Sequence, residues 1–206
     1  MVSSYPPREC GIASFCYDMV DAMSQIFGES LPIEICALQN NDEPIAYGEE
    51  VSYVLNTTQP NQYQKIVDDI NERSDIGMIG IQHEFGLYGG EYGNDLIPFM
   101  LAANKPIAII LHTVLPDLDK KRAKVMHAIA DLSDAIIVLT NQSKKLLIDQ
   151  NICNADKIYV IPHGTHIVLW KDKARLKQKH GFENHTILST FGLLSENKGI
   201  ETILHA

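Results

Sequence analysis

Along the chain, short runs of consecutive apolar residues alternate with longer stretches in which apolar positions recur every three or four residues. Runs at 32–38 (PIEICAL), 51–55, 76–81 (IGMIGI), 106–111, 135–139 and 158–161 have strand length and are bounded by polar or turn residues. Between them, residues 12–27, 63–72, 96–103, 119–132 and 143–150 carry the spacing of amphipathic helices. In the first of these, Ala13, Cys16, Met19, Val20 and Met23 fall on one face. Strands that are apolar throughout, rather than at every second position, are buried on both faces by crossover helices. The pattern therefore predicts an α/β fold with a doubly wound parallel sheet, not an antiparallel sandwich. No internal repeat or low-complexity segment interrupts it.

Both ends break the regularity. Only Met1, Val2, Ser3 and Ser4 precede the Tyr5-Pro6-Pro7 turn, so the first strand is expected to be short. A strand is predicted over 185–194 (HTILSTFGLL), a polar loop over 195–198, and a helix from Gly199 onward. One strand and one helix cannot bury a core of their own. We expect residues 1–165 to form one Rossmann-like domain, and residues 166–206 to be a linker and the first strand-helix unit of a second, incomplete one. The apolar Ile187, Leu188, Phe191, Leu194, Ile200, Ile203 and Leu204 of that unit lead us to expect self-association, exchange with a neighbouring copy, or folding back on the first domain.

Composition narrows the partners. With 206 residues, 45% hydrophobic and 21% charged, the chain has the make-up of a globular protein. Its net charge is -9, and the basic cluster that stands out is residues 171–179, so the electrostatic footprint of a nucleic-acid-binding protein is missing. The longest apolar runs, such as 107–111 and 135–139, fall far below the roughly 20 residues that cross a bilayer. The N-terminal residues lack a basic segment followed by an apolar one. We expect a cytoplasmic chain with no transmembrane segment, for which a peripheral contact is the remaining route to a membrane. Cys10, Cys16, Cys36 and Cys153 form no CxxC pair and read as reduced packing residues.

Four loops could carry chemistry. Residues 5–15 (YPPRECGIASF) set a double proline and Gly11 just before a helix, where free backbone N–H groups can face an anion; the same residues serve equally as a turn that sets the helix's direction. GxGxxG and the GK[ST] ending of a P-loop are both absent. Residues 82–90 (QHEFGLYGG) and His112-Thr113 each follow an apolar strand, where a parallel sheet opens into its ligand crevice. A lone histidine there is more often a strand cap, but two together favour a site. Finally, Lys198 and Gly199 stand at a strand-loop-helix junction, where a cation and a helix start can hold a phosphate. His83, His163 and His166 give no favoured metal geometry, and HEFGL is not HExxH, so no metal is expected.

In order and spacing, the segments YPPRECGIASF, IQHEFGLYGG, LHTVLP, DAIIVLTNQSKKLL, IYVIPHGTH and TFGLLSENKGIETILHA resemble glycosyltransferase family 4, retaining enzymes of the GT-B fold. The resemblance spans nearly the whole chain. It implies that residues 1–165 are an acceptor-side domain and the remainder begins a domain for a nucleotide-diphosphate sugar, which is the donor substrate; the acceptor would be a carbohydrate or a lipid-linked molecule. It further implies that Gly11 approaches the donor phosphates, Lys198 pairs with the diphosphate in place of a metal, His112 contacts the donor sugar as the catalytic residue, and His83 and Glu84 face the acceptor. No cofactor is expected.

Two departures from the family pattern stand out. Gly192-Leu193 occupies the place where the family commonly has Gly-Arg, so one of the two diphosphate cations is missing or supplied from elsewhere. The sequence also stops before the acidic segment that grips the donor sugar and before the ribose and base sites. We therefore expect the 206-residue chain to be inactive alone, as a portion of a longer enzyme or a half-enzyme completed by a partner chain. A non-catalytic binding module on the same fold is the third reading.

Overall fold

A computed structural model describes residues 1–41, 45–190 and 199–205, which fall into two units, Met1–His163 and Gly164–Ala206. In the first unit, strands β1 (Val2–Ser3), β2 (Ile35–Gln39), β3 (Val51–Asn56), β4 (Ile79–His83), β5 (Ile107–Leu111), β6 (Ala135–Val138) and β7 (Ile158–Val160) form one sheet. Helices α1 (Gly11–Phe27), α2 (Pro60–Glu72), α3 (Leu96–Ala102), α4 (Lys120–Leu132) and α5 (Asn141–Asp149) connect them. The strand order is β3-β2-β1-β4-β5-β6-β7 and every pairing is parallel. This is the Rossmann-like, doubly wound arrangement. The chain winds outward from β1 to β3, returns through α2 to β4 on the other side of β1, and winds outward again. The order reverses between β1 and β4, leaving a crevice outside their carboxyl ends.

Local chemistry sets the element ends. The Cys10 thiol accepts the Ala13 N–H at 3.3 Å to start α1, and Gly28, at φ +53°, ends it. Pro60 opens α2, three residues before the first apolar position of the helix pattern, because proline fits the first helical turn and its polar neighbours leave no apolar signal. Carboxylate Asp119 caps α4, and the Thr140 hydroxyl caps α5. Strand β4 begins at Ile79 rather than at 76: the Ile79 N–H is bonded to the Pro106 carbonyl at 2.9 Å, whereas Met78 is exposed. As expected, β1 is short, and Val2 pairs with both Cys36 and Ile81.

Side-chain alternation divides the core unequally. On one face, Ile81, Ile109, Ile136 and Val138 pack under α2, α3, α4 and α5 through Tyr63, Phe99, Met126, Ile129 and Leu147. On the other, α1 lays Cys16 and Val20 against Tyr5, Ile35 and Ala37 in a smaller cluster. Farther along this second face Ile137 is half-buried and Tyr159 is exposed.

The second unit contains α6 (Lys173–Lys179), started by the Asp172 carboxylate accepting the Ala174 N–H at 3.1 Å, and α7 (Ile200–His205). The strand expected over 185–194 does not form in residues 185–190, which have no ladder partner; residues 191–194 lie outside the described residues. A strand needs a hydrogen-bonded neighbour, so an apolar run alone does not make one. The helix expected after Gly199 is present. Among the described residues, no helix is long and apolar enough to cross a membrane.

Candidate functional site

The carboxyl ends of β1, β4 and β5 bring together the loop before α1, the Gln82–His83–Glu84 segment and His112–Thr113. Gln82 and His83 are neighbours in β4, so they point to opposite faces of the sheet. Gln82 points toward α1, where its amide nitrogen lies 3.9 Å from the Met19 sulfur. Its Oε1 sits 2.6 Å from His112 Nε2. An amide oxygen only accepts, so this bond places the proton of a neutral His112 on Nε2 and leaves Nδ1 as an acceptor.

His112 is half-buried, and its ring meets the Phe15 ring edge-on at 5.0 Å between centroids. Phe15 belongs to the first turns of α1 and also contacts the His163 ring at 4.7 Å. Burial, reinforced by nearby His163, pulls the His112 pKa down to about 4. The imidazole is therefore neutral at pH 7. Through Nδ1 it can accept a hydrogen bond from a hydroxyl without carrying charge. Gly11 opens α1 one turn before Phe15, and apart from its chain neighbours and its own helix backbone no heavy atom lies within 4 Å of the place its Cβ would take. Neither crowding nor a left-handed backbone requires glycine there.

His83 differs from what its motif suggests. It has no solvent exposure, and its ring lies on the face opposite α1, edge-on to Phe85 at 5.5 Å and stacked on Tyr88 at 6.2 Å. Neither ring nitrogen has a hydrogen-bond partner. Burial, with His112 nearby, holds its pKa down to about 4. Only its backbone joins the crevice residues, accepting the His112 N–H at 3.0 Å. Glu84 turns back toward β5: one carboxylate oxygen accepts the Thr113 hydroxyl and the other accepts the Phe85 N–H at 3.0 Å.

The loop after Glu84 is closely fitted. The Tyr88 hydroxyl donates to the Gln82 carbonyl at 2.8 Å, and the Gly89 N–H donates to the Tyr63 hydroxyl at 3.1 Å. A Cβ on Gly89 would stand 2.2 Å from the Thr57 carbonyl oxygen, so only glycine fits. Tyr92 takes a left-handed conformation, φ +59°, and the Arg122 guanidinium lies over its ring at 4.1 Å. The sequence gives little warning of this pair or of the Gln82–His112 bond. Both join residues about 30 apart, through strand register or helix packing. The basic start of α4, Lys120, Lys121, Arg122 and Lys124, is a local signal that a search for longer basic runs passes over.

Lys198 lies outside the described residues, as does Leu193. Among the described residues, no group of three or more His, Cys, Asp or Glu side chains is placed to hold a metal ion. No protein-family model matches the chain, and no curated protein matches it.

Proposed function

We propose that the Met1–His163 unit is the acceptor-side domain of a retaining glycosyltransferase, which moves a sugar from a nucleotide-diphosphate sugar to a carbohydrate or lipid-linked acceptor. The observation that carries this reading is the neutral His112, fixed by Gln82 at 2.6 Å beside the start of α1. A sugar hydroxyl can donate to the free Nδ1 of a neutral imidazole, and free backbone N–H groups at a helix start favour a diphosphate. Gly11 supports the second point, because the fold itself does not demand glycine there.

In this reading the acceptor oxygen attacks the anomeric carbon on the face from which the diphosphate departs. The bond from that carbon to the phosphate oxygen breaks, its electron pair leaves with the diphosphate, and the acceptor's proton follows to a phosphate oxygen. His112 hydrogen-bonds a donor-sugar hydroxyl as positive charge develops on the ring. Backbone N–H groups near Gly11 balance the charge gathering on the diphosphate. Glu84 belongs to the acceptor side, where its contact with Thr113 sets its direction, and His83 supports His112 through its backbone carbonyl.

The test is an NMR titration of the full chain with UDP-, GDP- and ADP-sugars at millimolar concentration. Each of the three, through the diphosphate and sugar they share, should shift the His112 ring signals and the Gly11 and Ile12 amides saturably, and His112→Ala should weaken the sugar nucleotide more than the bare nucleoside diphosphate. Shifts that leave both Gly11 and His112 unmoved with every donor overturn the reading.

A further inference from the structure

The second unit contains a surface unlike any in the first. Residues 167–170 are four successive apolar side chains, Ile167, Val168, Leu169 and Trp170, at 102, 79, 89 and 84% exposure. Single exposed apolar residues are ordinary on a protein surface; an unbroken run ending in tryptophan is not. Directly after it come Lys171, Lys173, Arg175, Lys177 and Lys179 against the single acid Asp172, a net +4 within nine residues of a chain whose total is -9. Asp172 is occupied in capping α6, and Lys177 donates to the His185 carbonyl. Lys171, Lys173, Arg175 and Lys179 are exposed. Trp170, Arg175, Leu176 and Lys179 share the wall of an open groove of about 680 Å³, so the apolar and basic groups border one another.

We propose that residues 167–179 attach this protein to an anionic lipid surface. The charge selects the occupant. An apolar partner would cover residues 167–170 but leave the four cations unused, and a second copy of this chain packed through the same segment would bring its own +4 against them. A bilayer with anionic headgroups meets both needs. Tryptophan and short apolar segments settle at the boundary between headgroups and acyl chains, while lysine and arginine stay at the phosphate level. The four-residue run is far too short to span, so the attachment is interfacial and reversible. The site does not involve His112 or Gly11, and it stands whether or not the glycosyltransferase reading holds.

Trp170 is the chain's single tryptophan, so its emission reports this segment alone. The full chain is titrated with vesicles of phosphatidylcholine, with and without one third phosphatidylglycerol, and binding is measured in parallel by co-sedimentation. We expect a saturable blue shift with the anionic vesicles only, reversed in about 0.5 M NaCl, where screening reaches only a few ångströms. Replacing Lys171, Lys173, Arg175 and Lys179 together by Gln should lower partitioning by roughly several hundredfold, at about fivefold per cation. Trp170→Ala, followed by sedimentation, should lower it about tenfold. These side chains are exposed, so circular dichroism of the variants should match the parent. Four outcomes overturn the proposal: no binding to anionic vesicles, equal binding to neutral ones, a blue shift that grows with protein concentration without lipid, or an equal shift with a single-stranded oligonucleotide.

Discussion

His83 and His112 end adjacent strands, and burial holds both near a pKa of about 4, yet their surroundings are opposite. His112 belongs to the thinly covered face beside α1, where it bonds Gln82 and keeps part of its ring open. His83 belongs to the face under α2 to α5, enclosed by Phe85 and Tyr88 with both nitrogens unpartnered. The same side chain is a polar group in use on one side and an uncompensated polar group on the other. The contrast follows the sheet itself, whose one face is a deep core and whose other face carries the smaller cluster under α1.

The sharpest way to break this comparison is to truncate each face. Phe99, fully buried under the thick layer, should cost about 3 to 5 kcal/mol as Phe99→Ala, whereas Tyr159→Ala on the open face should cost less than about 1 kcal/mol. Urea denaturation measures both, and equal costs would mean that the faces are equally packed.

Acid should expose His83 next. Its folded pKa lies below the unfolded value, so the stability tied to its neutral form is complete above about pH 6.5 and is lost as the pH falls toward about 4. Each pKa unit corresponds to about 1.4 kcal/mol, so the loss approaches about 3 kcal/mol across that window. His112, held down to a similar value, adds a loss of the same sign. His83→Leu should flatten about half of the fall in denaturation midpoints measured between pH 7 and pH 4. An unchanged slope would place the acid sensitivity elsewhere.

At pH 7 the same two positions should respond differently. His83→Leu removes two unpartnered nitrogens and should change stability by less than about 1 kcal/mol. His112→Leu strands the Gln82 amide and should cost about 1 to 2 kcal/mol. A larger loss at His83 than at His112 would reverse the assignment. A single-bond effect concerns the loop that encloses His83. Tyr88→Phe removes one hydrogen bond to the Gln82 carbonyl and should cost about 1 kcal/mol, with faster exchange of the Leu87 amide.

Much of the layered architecture is legible from residue pattern, because the buried strands Ile107–Leu111 and Ala135–Val138 are apolar runs flanked by amphipathic helices. The strand order is not written locally. Nothing near Val2 announces that Cys36 and Ile81 flank it. The apolar run overstates β4 at its start, because Ile76 and Met78 extend it beyond the paired residues. At the site, the strand-end positions of His83 and His112 follow from the sequence, but the direction of each ring does not. Direction depends on which alternate residues of β4 meet the larger core, and the run from Ile76 to Ile81 does not say whether Gln82 or His83 shares that face.

The two-residue strand at the centre of the sheet also shapes how the molecule is made. Strand β1 leaves the ribosome before either of its neighbours, and Val2 must wait for Cys36 on one side and Ile81 on the other. At roughly 5 to 20 residues per second, the interval before the second neighbour appears is about 4 to 16 s. During that interval the middle of the future sheet has an unclaimed edge, open to the first strand of a nascent chain on an adjacent ribosome. Closure of β4 beside β1 is thus the event that commits the chain to folding by itself, and ribosomes spaced closely on one message would be the place to see it fail.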